Sequence, residues 1–170
     1  LVPQTAPSVL DTRQSFGTGD RIGSPCQASP WHLEVCAAHE VTPVAAQQSV
    51  RENHKTGRTF QAVMDDVTWS VFRVGFDRPW GSDADHLKTI DDIDEAIAAG
   101  FTMFTLDPSD MIDNDTDNDT DDVLGVKLRK LLGSDRAVDA FIGKYTGGEG
   151  AEDRDVVRSG AKYLSAVRHA

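Results

Sequence analysis

Cysteine is scarce and unpatterned in this chain. Only Cys26 and Cys36 occur among 170 residues, and neither belongs to a CxxC pair. That spacing argues against a thiolate cluster and against a disulfide scaffold, so two reduced thiols are expected. Long apolar runs are missing as well: no stretch reaches the ~18 residues of a membrane span, and no charged start leads into one. The expectation is a soluble cytoplasmic protein. Basic charge is also short, with 17 Lys and Arg against 28 Asp and Glu for a formal net charge of −11. Such a field repels nucleic acid and anionic membranes, and neither is expected as a partner. No nucleophile elbow, P-loop or HExxH occurs. The glycines of Gly17-Thr18-Gly19-Asp20-Arg21-Ile22-Gly23 are spaced one residue off the dinucleotide fingerprint.

What is present supports a packed core. Hydrophobic residues make up 39% of the chain, with three Trp and seven Phe, enough for one domain spanning residues 1–170. Residue 1 is Leu, and the chain stops at His169-Ala170 just after an amphipathic run. Both ends are expected to be cuts in a longer protein.

Periodicity supplies the order of elements. Ser15-Phe16-Gly17 reads as a short strand entering a Gly-rich loop. Ser24 or Ser29 is positioned to cap a helix through Trp31, Leu33, Val35 and Cys36. Thr42–Ser49 reads as a buried strand with polar residues at its exit. Beyond Gly57-Arg58-Thr59, the apolar residues Phe60, Val63, Met64, Val67, Val71 and Phe72 recur at helical steps. A third strand covers Trp80–His86. Thr89 caps a helix over 90–97 with acids in its first turn, and Ala98-Ala99-Gly100 ends it. Phe101–Leu106 is the clearest strand, closed by Asp107-Pro108. Residues 111–122 read as an acidic loop, followed by helices near 123–132, 135–143 and 152–168.

Alternating strands and helices imply right-handed crossovers and a parallel sheet. Four strands are half of an eight-stranded barrel, which takes about 250 residues. The predicted fold is therefore α/β: a partial (β/α) TIM-type barrel, the N-terminal half of a truncated (β/α)8 barrel, with about four parallel strands and flanking helices. Such folds place their sites at the carboxyl ends of the strands. That position makes Arg21, Gln48, Arg51, Lys88 and Asp107 candidates for substrate contact, and Arg51 or Lys88 could meet an anion.

One stretch concentrates the reactive groups. Trp80-Gly81-Ser82-Asp83-Ala84-Asp85-His86-Leu87-Lys88-Thr89 holds two carboxylates, an imidazole and an ammonium between residues 83 and 88. Imidazole is a good ligand for divalent metals, and a neighbouring carboxylate can act as a base. The plainer alternative is a helix-entry loop whose Asp and His cap and solvate. Geometry adds a condition, because adjacent strand residues point to opposite faces. Asp85 and His86 can serve one ligand only if the strand ends or bulges there. The Asp113–Asp122 run resembles a calcium loop at first sight. Its sixth and twelfth positions hold Asn118 and Leu124, or Thr120 and Val126 in the next register, where an EF-hand needs Gly and Glu. A solvated acidic loop is expected instead. His32, His39, His54 and His169 stand alone and read as surface or packing residues.

Four segments occur in order: Ser15–Gly23, Thr42–Glu52, Trp80–Thr89 and Phe104–Asp110. Together they resemble the tagaturonate epimerase family, over most of residues 14–122 and more weakly in the last helix. The resemblance implies a divalent-metal-dependent epimerase of keto-sugar acids on a barrel-like fold, with a small sugar acid as partner. It implies Asp85 as proton acceptor and His86 as one metal ligand. A second acid–base Glu and two further His ligands of the family lie beyond this chain, so the fragment is expected to be inactive alone. Two other readings remain: another metal-dependent sugar isomerase on the same barrel, and a non-catalytic acidic binding or assembly module.

Overall fold

A computed structural model describes residues 5–20, 27–146 and 152–170. Four strands form one parallel sheet: β1 (Ser15–Gly17), β2 (Thr42–Ser49), β3 (Gly81–Leu87) and β4 (Met103–Leu106). Their spatial order follows the chain, β1-β2-β3-β4. A doubly wound sheet reverses direction at a switch point, whereas this sheet winds one way, as a barrel does. The predicted α/β class with four parallel strands is the observed architecture, a curled half-barrel flanked by helices.

The helices follow their local signals. α1 (Ser29–Ala38) starts after Ala28, which makes no side-chain cap, and carries Pro in its first turn, where no N–H is needed. Ser29 therefore lies inside the helix rather than capping it, and Ser24 falls outside the described residues. α3 (Phe60–Val74) is capped by Thr59, whose Oγ1 accepts from the Ala62 N–H at 3.1 Å. Gly75 ends it at a φ of 63°, a left-handed position that favours glycine. α4 (Ile90–Ala98) opens on a reciprocal capping box between Thr89 and Asp92.

One helix has no counterpart in the expected elements. α2 (Val50–Thr56) follows β2 directly, and the last polar residue of the strand, Ser49, is its N-cap. Its signal was in the chain: Ser49 and Glu52 form a capping box, and Gly57 closes it at φ 68°. The strand boundaries also moved. β3 begins at Gly81, after the fully buried Trp80, and runs to Leu87. β4 begins only at Met103, because Phe101 turns into the core and stacks edge-on against Phe60 at 5.2 Å.

Contacts divide the chain into two compact units, Leu1–Leu106 and Asp107–Ala170. In the first, Phe60, Val63, Met64, Val67 and Val71 on one face of α3 pack with Leu33, Ala45, Ala46, Ala84 and Leu87. Each fully buried side chain of this kind contributes about 1.5–3 kcal/mol, so α3 is the main anchor of the sheet. The second unit contains α5 (Asp121–Leu132), α6 (Asp135–Thr146) and α7 (Asp153–His169), with Leu124, Leu128, Val156, Ala161 and Ala166 buried.

The 111–122 segment is more ordered than a solvated loop. It follows a 3-10 turn at Ser109–Met111, contains a second at Asn114–Asp117, and leads into the first turn of α5. Its charge is met by internal cations. Lys127 Nζ lies 2.7 Å from Asp113 and 2.6 Å from Asp119, and Lys162 Nζ lies 2.6 Å from Asp117. Among the described residues, no helix is long and apolar enough to cross a membrane.

Candidate active site

β3 carries the reactive stretch as a strand packed from both sides. Gly81 sits where an added Cβ would come 2.7 Å from the Leu10 side chain, so a larger residue there would make Leu10 shift. Beyond it, alternation sends Ser82 and Ala84 to one face and Asp83 and Asp85 to the other. Asp83 is buried and accepts two hydrogen bonds, from Thr105 Oγ1 of β4 at 2.9 Å and from Gln47 Nε2 of β2 at 3.2 Å.

Asp85 and His86 meet the geometric condition set by their adjacency. The pairing of β3 with β4 changes register between Ala84 and Leu87, and His86 has a φ of 58°. That backbone is uncommon for a non-glycine residue, and such positions cluster at functional sites. It brings His86 Nδ1 within 2.7 Å of Asp85 Oδ1. The Asp85 side chain is 8% exposed and that of His86 54% exposed. A carboxylate therefore fixes one ring nitrogen while the imidazole stands open to solvent. Carboxylate-oriented histidines of this kind are common metal ligands and proton carriers.

The remaining candidates are scattered. Gln48 is fully buried and pairs in register with Ala84, whereas its neighbour Gln47 reaches Asp83. Arg51 is exposed in the first turn of α2. Lys88 is exposed, and its backbone N–H donates to Asp92 Oδ2 at 3.2 Å as part of the α4 cap. Asp107 starts the second unit and accepts from the Ser109 N–H at 3.0 Å. Arg21 lies outside the described residues. Asp85 and His86 are the pair joined by a direct side-chain contact of 2.7 Å. Among the described residues, no group of three or more His, Cys, Asp or Glu side chains is placed to hold a metal. The donor set thus offers one imidazole ligand and leaves the rest of a cation's shell unfilled.

Two features near the strand ends were not anticipated. Arg58 donates to Asp66 Oδ2 and to the Asp20 carbonyl, both at 3.1 Å, with side chains only 12% and 3% exposed for the ion pair. It anchors the loop after β1. Gly17 at the end of β1 and Gly19 in that loop lie close on β2: a Cβ at Gly19 would fall 2.4 Å from the Gln47 carbonyl oxygen, and one at Gly17 2.7 Å from Gln47 Oε1. Gly17 and Gly19 of the run that failed as a nucleotide fingerprint thus serve close packing.

The chain can now be set beside known proteins. A sequence model described as tagaturonate epimerase matches residues 1–170. The tagaturonate/fructuronate epimerase of Thermotoga maritima is 40% identical over 171 residues, covering 98% of this chain and 35% of that protein. Among solved structures, the fructuronate-tagaturonate epimerase of Cohnella laeviribosi complexed with two glycerols superposes with a TM-score of 0.83 at 31% identity. The native crystal structure of that enzyme gives 0.81 at 30%. Both comparisons cover 98% of this chain and 35% of the other, so the chain spans about a third of the length of the relatives it matches. With a match that runs its whole length, the chain belongs to the tagaturonate epimerase family.

Proposed function

We propose that the full-length protein carrying this chain interconverts tagaturonate and fructuronate, with Asp85 as general base and His86 as one ligand of a divalent cation. The observation that carries the reading is the 2.7 Å contact between these two side chains at the carboxyl end of β3. Family membership and the names of the relatives supply the substrate class. Exposed Arg51 and Lys88, just past β2 and β3, are the cations proposed to meet the substrate carboxylate.

The chemistry follows from where the substrate inverts. Its stereocentre lies beta to the ketone, so removal of an acidic alpha proton cannot invert it. Asp85 instead takes the proton of the hydroxyl on that carbon. The bond between the alpha and beta carbons then breaks, its electron pair passing to the keto oxygen, and leaves an enediolate and an aldehyde. Re-addition to the other aldehyde face, with Asp85 returning the proton, completes the inversion. A divalent cation, when bound, supplies Lewis-acid stabilisation of negative charge on oxygen. Such a cation usually takes about three protein ligands, so residues 1–170 alone are proposed to be inactive. A cytoplasmic location goes with this reading, and buried Cys36, free of any disulfide, fits a reducing compartment.

The test is an assay of the full-length protein on tagaturonate, fructuronate and common neutral ketoses, before and after chelation. Turnover of the two uronates, lost with chelator and restored by nickel, manganese or zinc, is the expected result. Turnover only of neutral ketoses would point to a different sugar isomerase. Calorimetry showing calcium binding alone, unchanged by His86→Ala, would overturn the role of His86.

A further inference from the structure

Asp83 stands two residues ahead of the proposed base, and the epimerase reading gives it no task. A buried carboxylate is costly unless donors compensate it. Both oxygens of Asp83 are taken, one by Thr105 from β4 and one by Gln47 from β2. The side chain therefore ties three strands together across one face of the sheet. Its position along β3 matters. Regular pairing with β4 stops after Ala84↔Phe104 and resumes only at Leu87↔Leu106. Asp85 and His86 lie in that gap on the β4 side, so there the strand end is held by β2 alone, through the pairing of Asp85 with Ser49. The side-chain ties to β4 and β2 just before the gap are the two hydrogen bonds to Asp83. Gln47 is itself held in place, because Gly17 and Gly19 pack directly on it.

We propose that Asp83 is a positioning residue: with Gln47 and Thr105 it sets the end of β3 so that Asp85 and His86 meet, and it touches neither substrate nor metal. The proposal rests on the reading of Asp85 as base and His86 as ligand.

A charge-removing variant separates positioning from direct action. In Asp83→Asn, the amide oxygen still accepts from Thr105, while its NH2 donates to Gln47 Oε1 once the Gln47 amide turns over. Both cross-ties survive and the charge is gone. In Asp83→Ala both are lost, and in Thr105→Val one is lost at nearly constant shape. In the full-length protein, Asp83→Asn is expected to keep kcat within about fivefold, the scale of one altered hydrogen bond. Asp83→Ala is expected to lose about 100-fold in kcat, the scale of a misplaced catalytic group, and Thr105→Val about tenfold, with KM little changed in either.

A second readout does not depend on turnover. The imidazole nitrogen resonances of His86 report the Asp85 contact, and should move in Asp83→Ala and Thr105→Val but not in Asp83→Asn. If Asp83→Asn is as inactive as Asp83→Ala while the His86 signals stay put, Asp83 acts through its charge and the proposal is overturned. Unchanged kcat and unchanged His86 signals in Asp83→Ala would overturn it equally. Should Asp83→Ala fail to fold, the near-isosteric Thr105→Val carries the same test. If the unmutated protein does not epimerise hexuronates, the functional reading fails and the His86 resonances alone judge the positioning role.

Discussion

Two acidic regions of this chain have opposite fates. Residues 113–122 contain six aspartates, yet ammonium and guanidinium groups of the same unit answer many of them: Lys127 spans Asp113 and Asp119, Lys162 takes Asp117, and Arg154 takes Asp121. At β3 there are only two aspartates, and their named partners are an amide, a hydroxyl and an imidazole. The first arrangement satisfies its charge and spends it on holding α5 and α7 to the loop. The second holds buried carboxylates against an imidazole and neutral donors, an arrangement found where acid–base chemistry is done. The number of carboxylates in a segment is therefore a poor guide to a site; the chemistry of what answers them is a better one.

That contrast can be broken at several points. Asp85→Asn is expected to have the largest effect, a loss of about 10²–10⁴ in kcat of the full-length protein with an unchanged thermal melt. Retained turnover would remove β3 from the chemistry. Next comes the buried pair near the strand ends: Asp66→Ala strands Arg58 without its partner and should cost the first unit about 3–5 kcal/mol in urea unfolding. All three tryptophans lie in that unit and both tyrosines in the other. The Trp signal should therefore shift its midpoint while the Tyr signal does not.

Gly19→Ala tests the close approach of the first loop to β2. Its Cβ meets Gln47 backbone rather than a flexible tip, so a loss of about 1–3 kcal/mol is expected, again seen by Trp fluorescence. A neutral result would mean that the loop moves freely away from Gln47.

The smallest effect belongs to the second unit and depends on pH. The hydrogen bond from Lys127 holds the Asp113 carboxyl below its ordinary 3.8. Asp113 first and Asp119 next push Lys127 up to about 12 from 10.5. The carboxylate's contribution is present above pH 3.8 and fades as pH falls through its lowered value. The ammonium's is present below 10.5 and fades as pH rises towards 12. Melts followed by Tyr fluorescence in acid and by helical dichroism in alkali should show a plateau between these limits. Lys127→Met should abolish both edges, and edges that persist would assign them to other groups.

Much of this was legible in the residues. The 3- and 4-residue steps of Phe60, Val63, Met64, Val67 and Val71 mark α3 because only a helix puts them on one face, and Thr89 with Asp92 marks the start of α4 because a cap is a local event. The adjacency of Asp85 and His86 set a condition, that they can serve one ligand only if the strand ends or bulges there, and the structure has a register shift and a left-handed His86 at that point. α2 is equally local in its signals, the Ser49–Glu52 box and Gly57, but its seven residues carry no apolar periodicity to mark a helix. Phe101 was read as strand because propensity is blind to Phe60, against which it turns.

What the sequence by itself determined is the order of strands and helices, the one-way winding they imply, and the segment that holds a carboxylate beside an imidazole. These depend on periodicity, caps and chain adjacency, all of which act within a few residues. Only the tertiary structure decided that Asp83 answers to Gln47 and Thr105, that Gln47 rather than Gln48 reaches it, and that Arg58 pairs with Asp66 while holding the Asp20 loop. Strand register sets the first two, and a one-residue slip would exchange the faces. The third joins residues 38 apart through a hydrogen bond that no local pattern announces.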